Sequence, residues 1–145
     1  MTESRFEFWT RWLIGANIMT MIIGLVLAFA GESFVFQIHN EYTQELFFEG
    51  NPPSAKMLEL KAWLFGIIGA TIIGFHFLMI MIARNAFAKK ESWAYWAMVG
   101  GLLSWFLIDS SISTYYGAYY NVLLINLPAI ILIGIPLVAT RNSFK

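Results

Sequence analysis

Long apolar runs, separated by short polar stretches, dominate the pattern of this chain. Residues 12–30, 62–83 and 122–140 contain no Asp, Glu, Lys or Arg, and residues 92–112 contain a single charged side chain, Asp109. A membrane-spanning helix needs about 20 mostly apolar residues. The pattern therefore predicts an all-α, integral membrane four-helix bundle that forms one domain over residues 1–145, with spans at about 9–30, 62–83, 92–112 and 121–140.

The longest connection, residues 31–61, has a helical pattern of its own. Four apolar side chains recur at helical spacing, with polar residues between them: Val35, Ile38, Tyr42 and Leu46. This spacing predicts a short amphipathic helix that lies on the membrane surface or caps the bundle. A simple connector and a lid over a ligand are both compatible with it. Asn51-Pro52-Pro53 is expected to end the helix.

Composition supports the membrane assignment and excludes several classes of function. Hydrophobic residues make up 59% of the chain and charged residues 12%, against about 25% charged residues in soluble domains. The net charge is zero, and no basic stripe with interleaved aromatics indicates a nucleic-acid partner. The absence of cysteine excludes disulfides, thiol nucleophiles and thiolate metal sites.

Positive charge predicts the orientation, because Lys and Arg concentrate on the cytoplasmic side of membrane proteins. Loop 31–61 carries Lys56 and Lys61, whereas the other seven basic residues lie at the chain ends or in the link between spans two and three: Arg5, Arg11, Arg84, Lys89, Lys90, Arg141 and Lys145. Both termini should therefore be cytoplasmic, with loop 31–61 extracytoplasmic, in an inner (plasma) membrane. The chain resembles small four-span bacterial membrane proteins, a likeness that implies no activity.

The first span has a competing interpretation as a cleaved signal peptide. Ala28-Phe29-Ala30 has the small-x-small form of a signal-peptidase site. Glu3 and Glu7 precede the apolar run, which is long for a signal peptide. We therefore interpret these small residues as packing positions.

Small residues at helical spacing should mark the contacts between spans, because helices in a bilayer associate through close backbone approach. Span one offers Gly24, Ala28 and Gly31. Span two offers a face that consists of Gly66, Ala70 and Gly74.

Asp109 is the centre of a candidate ligand-binding pocket near the outer surface. A carboxylate at membrane depth is costly and tends to face a partner or a cavity. The residues that can converge with it are Ser110, Asn126, Tyr116, Lys61 and His39. Lys61 is the expected cationic partner, and Asn126 is expected to compensate backbone bonds lost to Pro128. A structural network and a ligand-binding or proton-carrying role both remain open for Asp109.

Two further polar residues are predicted at one depth in the cytoplasmic half. At about 1.5 Å of rise per residue, Asn17 and His76 lie at nearly the same level and can form a hydrogen bond. His76 can be a satisfied packing residue or a ligand or proton relay. His39 is expected at the surface of the outer loop.

No complete catalytic or metal-binding motif occurs in the sequence. Haem ligation by two histidines is not expected within one chain, and we expect no catalytic residues, metal or cofactor. The sequence favours a non-catalytic accessory protein, a lipid- or quinone-binding protein, or a membrane-complex subunit, with the lipid bilayer as its surroundings and a homodimer or a larger membrane complex as the candidate assemblies. The alternatives are a small proton-coupled transporter that uses Asp109 and an intramembrane lipid-modifying enzyme.

Overall fold

The computed structural model describes residues 1–144, and helices dominate it. Helix α1 covers Glu3–Ala30, α2 Gln37–Phe48, α3 Ala55–Asn85 and α4 Ser92–Tyr115. Helix α5, Tyr119–Ser143, contains a π-helical segment at Val122–Asn126 before the α-helix Leu127–Thr140. Helices α1, α3, α4 and α5 are long and apolar enough to cross a membrane. This confirms the all-helical, four-span part of the prediction.

The N-terminus, the C-terminal residues and the α3–α4 link meet at one end of the bundle, which we call the terminal end. Lys90 Nζ lies 2.6 Å from Glu3 Oε2 across this end. The Phe6 ring stacks on Phe87 at 5.8 Å and contacts Phe144 at 5.9 Å. Phe87 is fully buried, so an aromatic cluster holds these segments together.

The opposite end, which we call the α2 end, carries α2 and the turn between α4 and α5. Gly117 adopts a positive φ of 73° in this turn, a conformation that glycine tolerates at no steric cost. Helix α3 begins beyond α2, and the Ser54 side chain accepts a hydrogen bond from the Met57 amide at 3.3 Å. This capping contact starts the helix after the two prolines.

Helices α1 and α3 approach each other closely at Gly24 and Gly69. A Cβ placed on Gly69 would lie 2.5 Å from the Gly24 carbonyl oxygen and 2.7 Å from Ala28 Cβ. Gly24 and Ala28 therefore contact α3 as predicted. The predicted face of α3 is wrong at its far end, because a Cβ on Gly74 would meet nothing within 4 Å. Gly69, on a neighbouring stripe of the helix, makes the contact.

Candidate functional site

Asp109, near the end of α4, accepts three hydrogen bonds on a single carboxylate oxygen. Asn126 Nδ2 and Asn121 Nδ2 donate to Asp109 Oδ1 at 2.7 and 2.8 Å. Ser113 Oγ donates to the same oxygen at 3.3 Å. Three donor side chains, from both arms of the α4–α5 hairpin, thus converge on one oxygen atom of Asp109. These three residues, Asp109 and Ser110 form what we call the Asp109 cluster.

The π-helical segment explains why both asparagines reach the same oxygen. Side chains five residues apart point in different directions on an α-helix. In a π-helix, where hydrogen bonds join residues i and i+5, two such side chains point to nearly the same side. The Leu127 amide donates to the Val122 carbonyl in this pattern. Asn121 and Asn126 therefore face α4 together.

Asn126 does not compensate the backbone next to Pro128, so that expectation is wrong. Its amide nitrogen donates to Asp109 and to Ser110 Oγ, the latter at 3.0 Å. Asn126 is completely buried, and its Oδ1 atom has no hydrogen-bond partner among residues 1–144.

Lys61 does not pair with Asp109, which corrects a second expectation. Lys61 Nζ lies 2.7 Å from Glu32 Oε1, at the end of α1, and 5.2 Å above the Phe65 ring. The cation that we expected at Asp109 therefore forms its ion pair with Glu32 instead. Tyr116 is 59% exposed and makes no hydrogen bond to the Asp109 cluster within the described part of the chain.

His39 of α2 lies beside the Asp109 cluster. Its ring contacts the Tyr120 ring edge-on, with centroids 5.1 Å apart, and the Thr43 hydroxyl oxygen lies 3.5 Å from its Nδ1 atom. Burial lowers the pKa of His39 from its ordinary value of 6.5; the neighbouring Asn121 side chain opposes this shift, and the charge of Lys61 adds to it. His39 is therefore half-buried rather than free at the surface.

Thr43 and Tyr120 fasten α2 to the hairpin beside His39. Their hydroxyl oxygens lie 2.8 Å apart, and the Tyr42 ring stacks on Tyr120 at 5.5 Å. Helix α2 thus lies against the α4–α5 turn, next to the Asp109 cluster.

His76 and Asn17 form a separate buried pair in the middle of the α1–α3 interface. The distance from His76 Nδ1 to Asn17 Oδ1 is 2.7 Å, which confirms the contact predicted from equal depth. Asn17 Nδ2 donates to the Leu13 carbonyl at 2.7 Å, so its Oδ1 atom accepts from Nδ1–H of the histidine. This satisfied pair favours the packing interpretation.

An apolar groove of about 580 Å³ runs between α4 and α5 on the terminal side of the Asp109 cluster. The Asp109 cluster joins the two helices at one end. At the other, Ser92 Oγ donates to the Phe144 carbonyl at 3.0 Å, and the Tyr95 ring stacks on Phe144. The lining consists of Tyr95, Val99, Leu102, Leu103, Ile130, Ile131, Gly134, Ile135, Leu137, Val138 and Ala139.

The groove opens sideways, toward the surface that faces the bilayer in a membrane protein. Leu103, Ile131 and Val138 of its lining are all exposed. Tyr95 is the only lining residue with a polar atom in its side chain, and it lies near the terminal end. The concavity can therefore accept a hydrocarbon chain from the side.

Sequence reasoning missed Ser113, Thr43 and the groove. Ser113 follows Asp109 by four residues, and Thr43 follows His39 by four, so helical spacing could have identified both. The groove depends on how far α4 and α5 separate, which spacing does not encode.

Comparisons with protein-family models, curated proteins and solved structures find no match to this chain. Within residues 1–144, no group of three or more His, Cys, Asp or Glu side chains is placed to hold a metal ion. The geometry of the Asp109 cluster and of the groove is therefore the basis for any functional proposal.

Proposed function

We propose that this protein is a non-catalytic membrane protein that binds the hydrocarbon chain of a lipid or an isoprenoid quinone between α4 and α5. The observation that carries this proposal is the apolar groove of about 580 Å³. Its volume lies within the range of about 300–1,000 Å³ that is usual for ligand sites. The two helices are joined at both ends of the groove, so the space persists without an occupant.

The shape of the groove suits a chain better than a transmembrane helix. Between Tyr95 and Leu103 it extends for about 12 Å along α4, at 1.5 Å per residue. A helix of about 10 Å diameter and that length would occupy more than the groove offers. Helix-docking surfaces in membranes are rich in small residues, whereas this lining has only Gly134 and Ala139. The remaining side chains are branched or aromatic.

The orientation follows from the charges at the two ends of the bundle. Seven of the nine Lys and Arg residues lie within residues 1–11, 84–90 and 141–145, so we place the terminal end in the cytoplasm of an inner-membrane protein. The groove then lies in the cytoplasmic half. Helix α2 is extracytoplasmic and exposes Ile38, Tyr42 and Leu46 toward the membrane interface. Tyr95 marks the interface at which the head of the ligand would sit.

The test is to fill the groove and to measure retained ligand. Gly134→Phe places a ring in it, because a Cβ there makes only ordinary contacts, at 3.9 Å to Ile130 and 4.0 Å to Leu102. Gly74→Phe is the matched control, since a Cβ on Gly74 meets nothing within 4 Å. Native mass spectrometry of delipidated protein, titrated with phospholipid in one arm and with a quinone in the other, counts the bound molecules.

The proposal expects wild-type protein and Gly74→Phe to retain one molecule of one ligand, and Gly134→Phe to lose at least tenfold in affinity for it. The titration in which binding is seen, with phospholipid or with quinone, identifies the molecule that supplies the hydrocarbon chain. Equal binding by all three proteins, or a Gly134→Phe defect seen only as loss of a dimer, would overturn it.

A further inference from the structure

The charge of Asp109 lacks a counterion among the described residues. No Lys, Arg or His side chain within residues 1–144 forms an ion pair with it, and Lys61 is engaged by Glu32 at 2.7 Å. Ionisable groups at membrane depth are normally paired. The hydrogen bonds from neutral amides and a hydroxyl stabilise the carboxylate but do not neutralise it.

Two acceptor atoms of the Asp109 cluster also lack donors. All three hydrogen bonds to Asp109 enter Oδ1, and none reaches Oδ2 from residues 1–144. Asn126 is 0% exposed, and its Oδ1 has no partner. Because Asn126 Nδ2 lies 2.7 Å from Asp109 Oδ1, the unpaired oxygen of the same amide lies near the Asp109 carboxylate. A buried polar atom without a partner costs about 1–3 kcal/mol.

We propose that the Asp109 cluster binds a monovalent metal cation, with Asp109 Oδ2 and Asn126 Oδ1 as ligands. A bound cation gives both oxygen atoms an interaction partner and balances the single negative charge of Asp109. Divalent calcium normally takes six to eight oxygens, several of them carboxylates, whereas this cluster has one carboxylate. Coordination of Na⁺ by oxygens at irregular helical segments is an established membrane arrangement. Here the irregular segment is the π-helix at Val122–Asn126.

The Asp109 cluster is not sealed in the bundle. Asp109, Ser110 and Asn121 are only partly buried. A cation can therefore reach the Asp109 carboxylate from outside the bundle. This site is separate from the groove and does not depend on lipid binding there.

The experiment compares thermal unfolding of the detergent-purified protein in NaCl, KCl and choline chloride at equal ionic strength. A ligand that binds only the folded state raises the midpoint with concentration. We expect Na⁺ or K⁺, but not choline, to raise the midpoint of wild-type protein. Asp109→Asn should lose this response, since it keeps an acceptor for the donors but removes the charge. Glu59→Gln, which removes an exposed carboxylate, is the control and should keep it.

Sodium NMR of the wild-type protein provides a second measurement that does not depend on a variant folding. We expect excess broadening of the sodium signal, which added K⁺ reduces by competition. A wild-type midpoint that is the same in all three salts would overturn the proposal and leave a proton as the counterion. An undiminished Na⁺ response in Asp109→Asn would overturn it as well.

Discussion

Trp12 of α1 donates a hydrogen bond from its indole nitrogen to the Leu132 carbonyl of α5, at 3.0 Å. Pro136 has no amide hydrogen, so this carbonyl lacks the donor that a residue four positions later normally supplies. A side chain from another helix thus satisfies the backbone group that the proline frees. The contact fastens α1 to α5 at the surface of the bundle, among apolar side chains.

Trp12→Phe should lower the free energy of unfolding by about 1 kcal/mol, because it leaves the Leu132 carbonyl without a donor in an apolar setting. Denaturation in mild detergent measures this loss. Trp96→Phe is the control, since the Trp96 side chain is 66% exposed. Pro136→Ala restores a backbone donor, so Trp12→Phe should cost less in that background. An equal cost in both backgrounds would contradict the assigned role.

Gly69→Ala should destabilise the protein by about 1–3 kcal/mol, which is typical of overpacked contacts. The added methyl group would lie 2.5 Å from the Gly24 carbonyl oxygen and force α1 away from α3. Gly74→Ala, whose methyl group meets nothing within 4 Å, should leave stability unchanged or raise it by up to about 1 kcal/mol. Equal effects of the two substitutions on the unfolding midpoint would refute the close approach.

Asn17→Leu should destabilise the bundle by about 1–3 kcal/mol, because it leaves the buried Nδ1–H of His76 without an acceptor. His76→Phe in the same molecule removes that donor, so the double variant should lose less than the sum of the two single variants. A double-mutant cycle on unfolding free energies measures the coupling. Strict additivity would show that the 2.7 Å contact does not contribute to stability.

His39 should make the stability of the protein depend on pH. Its pKa in the folded protein is lowered from 6.5, chiefly by burial, so the folded state resists protonation more than the unfolded state does. Stability is then complete above pH 6.5 and declines as the pH falls below that value. His39→Gln should flatten this decline, and Lys61→Gln should reduce it. Unfolding midpoints that fall equally in wild-type protein and His39→Gln would exclude His39 as the cause.

The sequence was sufficient for the four long helices and for the His76–Asn17 contact. Span length and composition reflect the thickness of the hydrocarbon layer, which is a local constraint that each segment satisfies alone. The depth of a residue follows from a constant rise per residue wherever the helix is regular. Asn17 and His76 both lie in regular α-helices, so the arithmetic placed them correctly.

The sequence was not sufficient where helices depart from regularity or where partners compete. Asn126 was among the residues predicted to converge with Asp109, and it does so, but the π-helical segment that turns it and Asn121 toward the same oxygen was not predicted. From the sequence, Lys61 can pair with Asp109 or with Glu32. The conformation of the α1–α2 loop brings Glu32 to 2.7 Å from Lys61 Nζ. The groove requires the separation of α4 and α5, a tertiary property that Gly134 alone does not reveal.

Photolabelling tests the central claim, a hydrocarbon chain between α4 and α5, most directly. A lipid or quinone with a photoactivatable group in its chain is added to the protein in nanodiscs, and the labelled peptides are mapped by mass spectrometry. We predict adducts concentrated on Leu103, Ile131 and Val138 of the groove, and their loss in Gly134→Phe but not in Gly74→Phe. Labelling spread evenly over the exposed side chains of all four long helices, unchanged by Gly134→Phe, would contradict the account.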